Sequence, residues 1–431
     1  MAKEKTNENA NRQQPAFSQI SVMFLITIFQ LISAASVIFR DEEININLVY
    51  IFCGYICVEW IYMMLNVIIT GNDYFELEAI AFFLSGIGLT VCASFNENFA
   101  KKQLIAIGLG LVTYLAILLL IKDVRIADFL RYPAAIGSVL LLIVNLALAK
   151  VTNGALNWIT VGPVSLQPSE LVKVAFILIG GVSLDKLLST ASLYKYIGFC
   201  LTCVGLLFLM RDFGTALIFF FTFILIAYMR SGDVRTIFLI CTAALMGAIL
   251  IIYFKPYVAN RFAAYRHVWE MADAAGYQQT RVLMYSASGG LLGLGIGEGK
   301  LRNVFAASTD LVFGVICEEM GLLIGIAVLF AFACITIFAI KAAKGSASSF
   351  YAITAVAAAG MILFQLSLNV FGVTDLLPLT GVTMPFISRG GSSMICSWGL
   401  LAYIRAAGAP FKVPAPDLAV NAKARRGGGT R

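Results

Sequence analysis

Charge is scarce in this sequence. Asp, Glu, Lys and Arg make up 13% of its 431 residues, 60% are hydrophobic, and the mean hydropathy is +0.88. Average soluble domains carry about 25% charged residues, so a water-facing surface is excluded and lipid is the expected solvent. Histidine is scarcer still. His267 is the only one in the sequence, which excludes a His-based triad and any multi-His metal centre. The nine cysteines offer little chemistry, because most (Cys53, Cys57, Cys92, Cys200, Cys203, Cys241, Cys334) lie within apolar stretches. Cys200 and Cys203 form a CxxC in FCLTCVGLLFL with no nearby His or second pair, so small apolar packing is expected of them. No small-residue cleavage site follows the first apolar segment, and residues 1–17 (MAKEKTNENANRQQPAF) are expected to be a disordered cytoplasmic N-terminus before a permanent helix. The net charge of +7 is scattered through short loops, where Lys and Arg set orientation; no nucleic-acid partner is expected.

What is present in abundance is apolar sequence of spanning length. A transmembrane helix needs ~20 largely apolar residues. That window gives segments near 18–39, 47–70, 76–95, 103–121, 131–149, 168–189, 195–211, 213–229, 235–254, 311–340, 349–372 and 388–408. The expected fold class is an all-α polytopic transmembrane helical bundle of about twelve spans, with long connections at 150–167 and 255–310. A Pro-, Gly- and Arg-rich tail at 411–431 is expected to be disordered. The side holding both termini collects Lys122, Arg125, Arg131, Lys186, Lys195, Arg230, Arg235, Lys341, Lys344 and Arg405. The short loops opposite hold few cations, so both termini are assigned to the cytoplasm of a multi-pass protein of the cytoplasmic (inner) membrane.

A charge at the centre of a membrane span costs ~2.5–3.5 kcal/mol, so the polar residues in or beside these spans need a reason. Four clusters stand out, all at outward helix ends. In QPSELVK, Glu170 and Lys173 are three apart on one helix face and able to pair; a structural pair and a substrate site both account for them. In RDFGTA, Arg211 and Asp212 stand at a tight junction and suit an ion pair fixing a hairpin. The third cluster holds Arg261, Arg266, Arg281, Lys300 and Arg302, and the run GGLLGLGIGEGK, whose glycines allow close backbone approach to a ligand. It leads to STDLVFGVICEEMG, with Asp310 at the start of a span and Glu318 and Glu319 about two turns deeper. The fourth is TDLLPLTGVTMPFISRGGSS. There a re-entrant loop runs into Arg389, Gly390, Gly391 and Ser392, a helix start that offers backbone N–H groups to an anion. Together these suit an anionic, membrane-resident substrate such as a lipid-linked pyrophosphate. An enzyme, a flippase or transporter for that lipid, and a non-catalytic scaffold all remain compatible with the residues themselves.

In order and spacing, WITVGPVSLQPSELVK, RDFGTA, Tyr277-Gln278, GGLLGLGIG, TDLVFGVICEEMG and LPLTGVTMPFISRGGSS resemble the SEDS family, the RodA, FtsW and SpoVE peptidoglycan glycosyltransferases. The likeness runs from Asn157 to Tyr403. It implies a SEDS-like core of about ten helices at 76–408, preceded by two extra transmembrane helices at 18–70. It implies polymerisation of lipid II into glycan strands at the outer face of the membrane, with release of undecaprenyl pyrophosphate, in cell wall biogenesis, cell shape or cell division. By that resemblance Asp310 is catalytic, as general base. Glu170, Lys173, Arg261, Gln278, Lys300, Thr309, Arg389, Gly390, Gly391 and Ser392 are candidates for substrate binding. The sequence fixes no cofactor, and a divalent cation (Mg or Mn) held by Asp310 or Glu318 is compatible with the same task. The implied partner, besides membrane lipids, is a class B penicillin-binding protein.

Overall fold

A helix buried in lipid satisfies its own backbone, and the sequence between its polar breaks obliges with long apolar helices. The computed structural model describes residues 19–40, 43–70, 75–149, 156–161, 164–185, 190–235, 238, 240–242, 246, 265–346 and 348–408. The expected tails at 1–17 and 411–431, Arg261 and most of the expected span at 235–254 lie outside the described residues.

Among the described residues, seven helices are long and apolar enough to cross a membrane. They are α1 (Gln19–Ile38), α2 (Ile46–Thr70), α3 (Glu76–Phe95), α4 (Glu97–Ile121) and α5 (Val124–Leu148), and the later helices Leu322–Lys344 and Ser349–Val373. After α5 comes a short antiparallel hairpin, β1 (Ile159–Val161) and β2 (Val164–Leu166), with Ile159 opposite Leu166. Then follow α6 (Pro168–Asp185), α7 (Thr190–Leu209) and α8 (Phe213–Ser231). The C-terminal part comprises α9 (Tyr277–Ser288), a 3-10 turn at Leu301–Asn303, α10 (Val312–Glu319), α11 (Leu322–Lys344), α12 (Ser349–Val373) and α13 (Gly391–Gly408). The all-α membrane bundle stands. Helices α4 and α5 begin six or seven residues earlier than hydropathy alone places them, because polar and charged first turns belong to the helix: Asp123 caps α5 by accepting the Arg125 N–H at 2.9 Å.

One expected element is corrected. The segment 311–340 is not a single span, since α10 ends at Glu319 and α11 begins at Leu322. Between them Gly321 takes φ +89°, a left-handed conformation open to glycine at little cost.

The chain forms two compact units. The first contains residues 1–111, 242–335 and 362–398. Within it α1 and α2 pack on α3, α9 packs on α10, and Gly110 lies so close to Trp398 that a β-carbon there would stand 2.7 Å from the indole. The second unit contains residues 112–241, 336–361 and 399–431, with α5, α6, α7 and α8 at its centre. Small residues let its helices touch, as expected where lipid removes the hydrophobic drive for association. A β-carbon on Gly180 would stand 2.8 Å from both Ile226 and Tyr196.

Candidate functional site

The second unit places the first two clusters. Glu170 and Lys173, one turn apart on α6, form an ion pair at 2.7 Å, with Lys173 fully buried. The other Glu170 carboxylate oxygen and the buried Ser169 hydroxyl have no hydrogen-bond partner. Asp212 differs from the expected hairpin ion pair. Its side chain caps α8 by accepting the Thr215 N–H at 3.1 Å, and it accepts from the amides of Asn157 (3.2 Å) and Gln167 (3.1 Å). It therefore ties the β-hairpin and the start of α6 to α8.

The first unit brings together most of the remaining candidates. Asp310 sits at a turn whose backbone is held from several sides. Its N–H donates to the Ala306 carbonyl at 3.0 Å, and its carbonyl accepts from the Asn369 amide of α12 at 2.8 Å. The same buried Asn369 nitrogen donates to Val382 at 2.7 Å, joining Asp310 to the loop before α13. That loop is stitched to the turn directly: Arg389 N–H donates to the Ser308 carbonyl at 2.9 Å, and the Ser388 hydroxyl donates to Thr309. Gly381, at φ +71°, lies beside it, and a β-carbon there would be in ordinary contact with an Asp310 carboxylate oxygen at 3.4 Å. Asp310 as a residue is half-buried.

Arg389 is half-buried, with its guanidinium over the ring of Phe99 at 3.9 Å, a cation–π contact that orients it. Gly390 precedes α13, Gly391 opens it exposed, and Ser392 is buried in its first turn. Ser393 and Thr383 share a hydrogen bond at 2.8 Å, and Gln365 donates to the Thr383 carbonyl at 2.9 Å. The third and fourth clusters are thus one construction, with Thr309 and Asp310 at its centre and Arg389 beside them.

Lys300 is exposed on the loop that leads to Asp310. The glycine-rich run before it packs closely on protein backbone. It lies backbone to backbone against the break between α10 and α11: Leu294 N–H donates to Glu318 at 2.9 Å, and Leu322 N–H donates to Gly290 at 3.0 Å. A β-carbon on Gly293 would stand 2.3 Å from the Glu319 carbonyl. The two glutamates hold the rest of the loop. Glu318, fully buried, accepts the N–H groups of Lys300 (2.7 Å) and Leu301 (2.9 Å). Glu319 accepts the Gly297 N–H at 2.9 Å; burial pushes its carboxyl above the ordinary range, opposed by that N–H and by Arg302.

Of the two carboxylates considered for a divalent cation, Glu318 is already committed to the loop backbone. Both Glu318 oxygens are engaged by backbone amides, and among the described residues no three His, Cys, Asp or Glu side chains gather as ligands. Gln278 donates to the Phe305 carbonyl at 3.0 Å, supporting the same loop. Sequence reading missed its neighbour Gln279, which is buried and donates to the Gly372 carbonyl at 3.1 Å. It missed Asn369 too. Neither carries a sequence signal beyond being a polar residue in or beside an apolar helix.

Residues 80–408 match the cell cycle protein family of FtsW, RodA and SpoVE. Stage V sporulation protein E of Bacillus subtilis is 27% identical over 69% of this chain and 83% of its own length. The probable peptidoglycan glycosyltransferase FtsW of Wigglesworthia glossinidia brevipalpis is 30% identical over 77% of this chain and 93% of its own. Among solved structures, a chain of a peptidoglycan synthase complex shares the fold, with a TM-score of 0.64, 24% identity, and coverage of 76% of this chain and 95% of that one. This multi-pass membrane chain therefore belongs to the FtsW/RodA/SpoVE family of cell cycle proteins.

Proposed function

We propose that this protein is a peptidoglycan glycosyltransferase that polymerises lipid II into glycan strands at the outer face of the cytoplasmic membrane, with Asp310 as general base. The observation that carries the reading is the Asp310 turn: its backbone is tied to α12 and to the loop before α13, while the residue itself is only half-buried. A fixed, reachable carboxylate is what proton transfer at an attacking hydroxyl requires.

In this reading the 4-hydroxyl of the acceptor sugar attacks the anomeric carbon of the donor and loses its proton to Asp310. The bond from that carbon to the pyrophosphate oxygen breaks as the new glycosidic bond forms, and undecaprenyl pyrophosphate leaves. Negative charge develops on the leaving group, and preorganised cations stabilise it best. Arg389, held by Phe99, and Lys300, whose backbone is held by Glu318, are suited to that task. Arg261 is a further candidate from the sequence. The N–H groups at Gly390, Gly391 and Ser392 would serve a phosphate oxygen at the start of α13. Thr309, Gln278 and the Glu170–Lys173 pair are assigned to substrate placement. The names of the relatives support the reaction class, and the class B penicillin-binding protein as partner follows from the resemblance to the SEDS family. The Lys and Arg bias supports cytoplasmic termini.

The test is polymerisation of lipid II by the purified full chain. Asp310→Ala is expected to lower the rate by about 10²-fold or more, the typical worth of a general base. Unchanged glycan synthesis would remove Asp310 from the mechanism, and lipid translocation without glycan product would favour a flippase.

A further inference from the structure

The family match begins at residue 80, so α1 and α2 lie ahead of it. These helices are nonetheless bolted to each other and to α3 by polar groups inside the apolar layer. Gln30 of α1 donates to the fully buried Glu59 of α2 at 2.8 Å, and Trp60 donates to Thr27 at 3.0 Å. Tyr55 of α2 donates to the Phe82 carbonyl of α3, and Tyr62 reaches Glu78 at 3.4 Å. Gly86 of α3 admits them closely, since a β-carbon there would stand 3.2 Å from Gln30 and 3.4 Å from Tyr55. Buried polar groups at a membrane helix interface hold helices together where hydrophobicity cannot, and their expense calls for a use.

The use lies at the end of α1. Arg40 extends from its C-terminus and donates to the Ser94 carbonyl, at the end of α3, at 3.0 Å. Arg302 donates to the same carbonyl at 2.9 Å and to the Gly297 carbonyl at 2.7 Å. The Arg40 guanidinium also lies directly on Gly297: a β-carbon there would come within 2.5 Å of it. Asn45, at the start of α2, adds a second tie, donating to Glu97 at 3.0 Å. Gly297 is the residue whose N–H Glu319 accepts, three positions before Lys300. Arg40, Ser94, Arg302, Gly297 and Glu319 thus form one continuous clasp on the loop that carries Lys300 toward Asp310.

We infer that the α1–α2 pair is a positioning module for this loop, with Arg40 as the residue that transmits it. Arg40 does not touch the reacting atoms. It fixes the backbone from Gly297 to Leu301, and through it the placement of Lys300 toward the substrate pyrophosphate. The catalytic part of this inference rests on the proposed glycosyltransferase reading; the structural part does not.

The experiment compares the full-length wild type with Arg40→Ala and Arg40→Lys, purified in detergent, by amide hydrogen exchange and by lipid II polymerisation. Arg40→Ala is expected to speed exchange at the amides of Gly297, Lys300 and Leu301 by about tenfold or more, while those of α12 around Asn369 stay unchanged. A break in the clasp opens locally, not globally. The same variant is expected to lose about tenfold in kcat with KM little altered, the split that marks an interaction used in the transition state. Arg40→Lys, which keeps one donor, is expected to recover part of both. Unaltered exchange across 294–304, exchange raised throughout the chain, or full kcat beside a loosened loop would each overturn the inference. If the wild type itself forms no glycan, the proposed function falls, and the exchange data alone decide whether the module holds the loop.

Discussion

Lys173 and Glu170 show how much a single pair has to balance. Both are buried, and the ammonium meets one carboxylate oxygen at 2.7 Å. Removing one partner of a buried pair leaves an uncompensated charge, a loss of about 3–5 kcal/mol, whereas replacing both with apolar or neutral groups is often close to neutral. Glu170→Gln is therefore expected to melt well below the wild type, and the double variant Glu170→Gln with Lys173→Met to recover most of that loss. Thermal unfolding in detergent reads the order directly, and a double variant no more stable than the single would show that the pair is not what holds the unit. The second Glu170 oxygen and the Ser169 hydroxyl are both buried without partners. An active-site role would then appear as impaired polymerisation in the folded double variant.

At the scale of elements, the break between α10 and α11 organises the candidate site, and it was not legible in the sequence. Apolar residues flank Glu318-Glu319-Met320-Gly321 on both sides, so a hydropathy window runs straight through. What interrupts the helix is the backbone of the glycine-rich run, which takes the hydrogen bonds a continuous helix would have kept. Gly321→Ala is expected to be among the most damaging single changes. A β-carbon there would stand 2.3 Å from the Leu291 carbonyl and 2.5 Å from the Gly293 nitrogen, at φ +89°. Backbone cannot yield cheaply on either side, so a loss beyond about 4 kcal/mol is expected, in the range reserved for strain and overpacking. Gly198→Ala, in α7 with nothing within 4 Å of the added carbon, is expected to be neutral or slightly stabilising. Folded protein recovered from membranes, by fluorescence-detected gel filtration, compares the two; equal recovery would contradict the packing described here. The motifs themselves were legible, because Asp310, Arg389 and the Gly-Gly-Ser-Ser helix start announce themselves as polar groups at apolar helix ends. Their union was not. Asn369, Gln279 and the Ser388 hydroxyl join segments far apart in sequence, and periodicity carries no information about such partners. Arg40 is the extreme case: it reads as one loop cation among several until the fold lays it on Gly297.

At the scale of the whole molecule, orientation decides whether the proposed chemistry has access to its substrate. Lys341 and Lys344 end α11, and Arg405 falls in the last turn of α13. Cations at helix C-termini complement the dipole in any solvent, so these positions alone do not choose a side. The choice comes from their sum with Lys122, Arg125, Arg131 and Arg230, since loop Lys and Arg resist translocation. Helix α11 connects the two faces: its N-terminal end follows the loop of Lys300 and Asp310, and its C-terminal end carries Lys341 and Lys344. In the proposed orientation the basic end is inside and the Asp310 end faces outward, where a glycan strand can grow without crossing the membrane. Lys300→Cys is then expected to react with a membrane-impermeant maleimide on intact protoplasts, above the background of the native cysteines. Lys344→Cys is expected to react only after the membrane is opened. The reverse pattern would place Asp310 in the cytoplasm, and a cytoplasmic Asp310 could not polymerise a strand on the outer face, however well its turn is held.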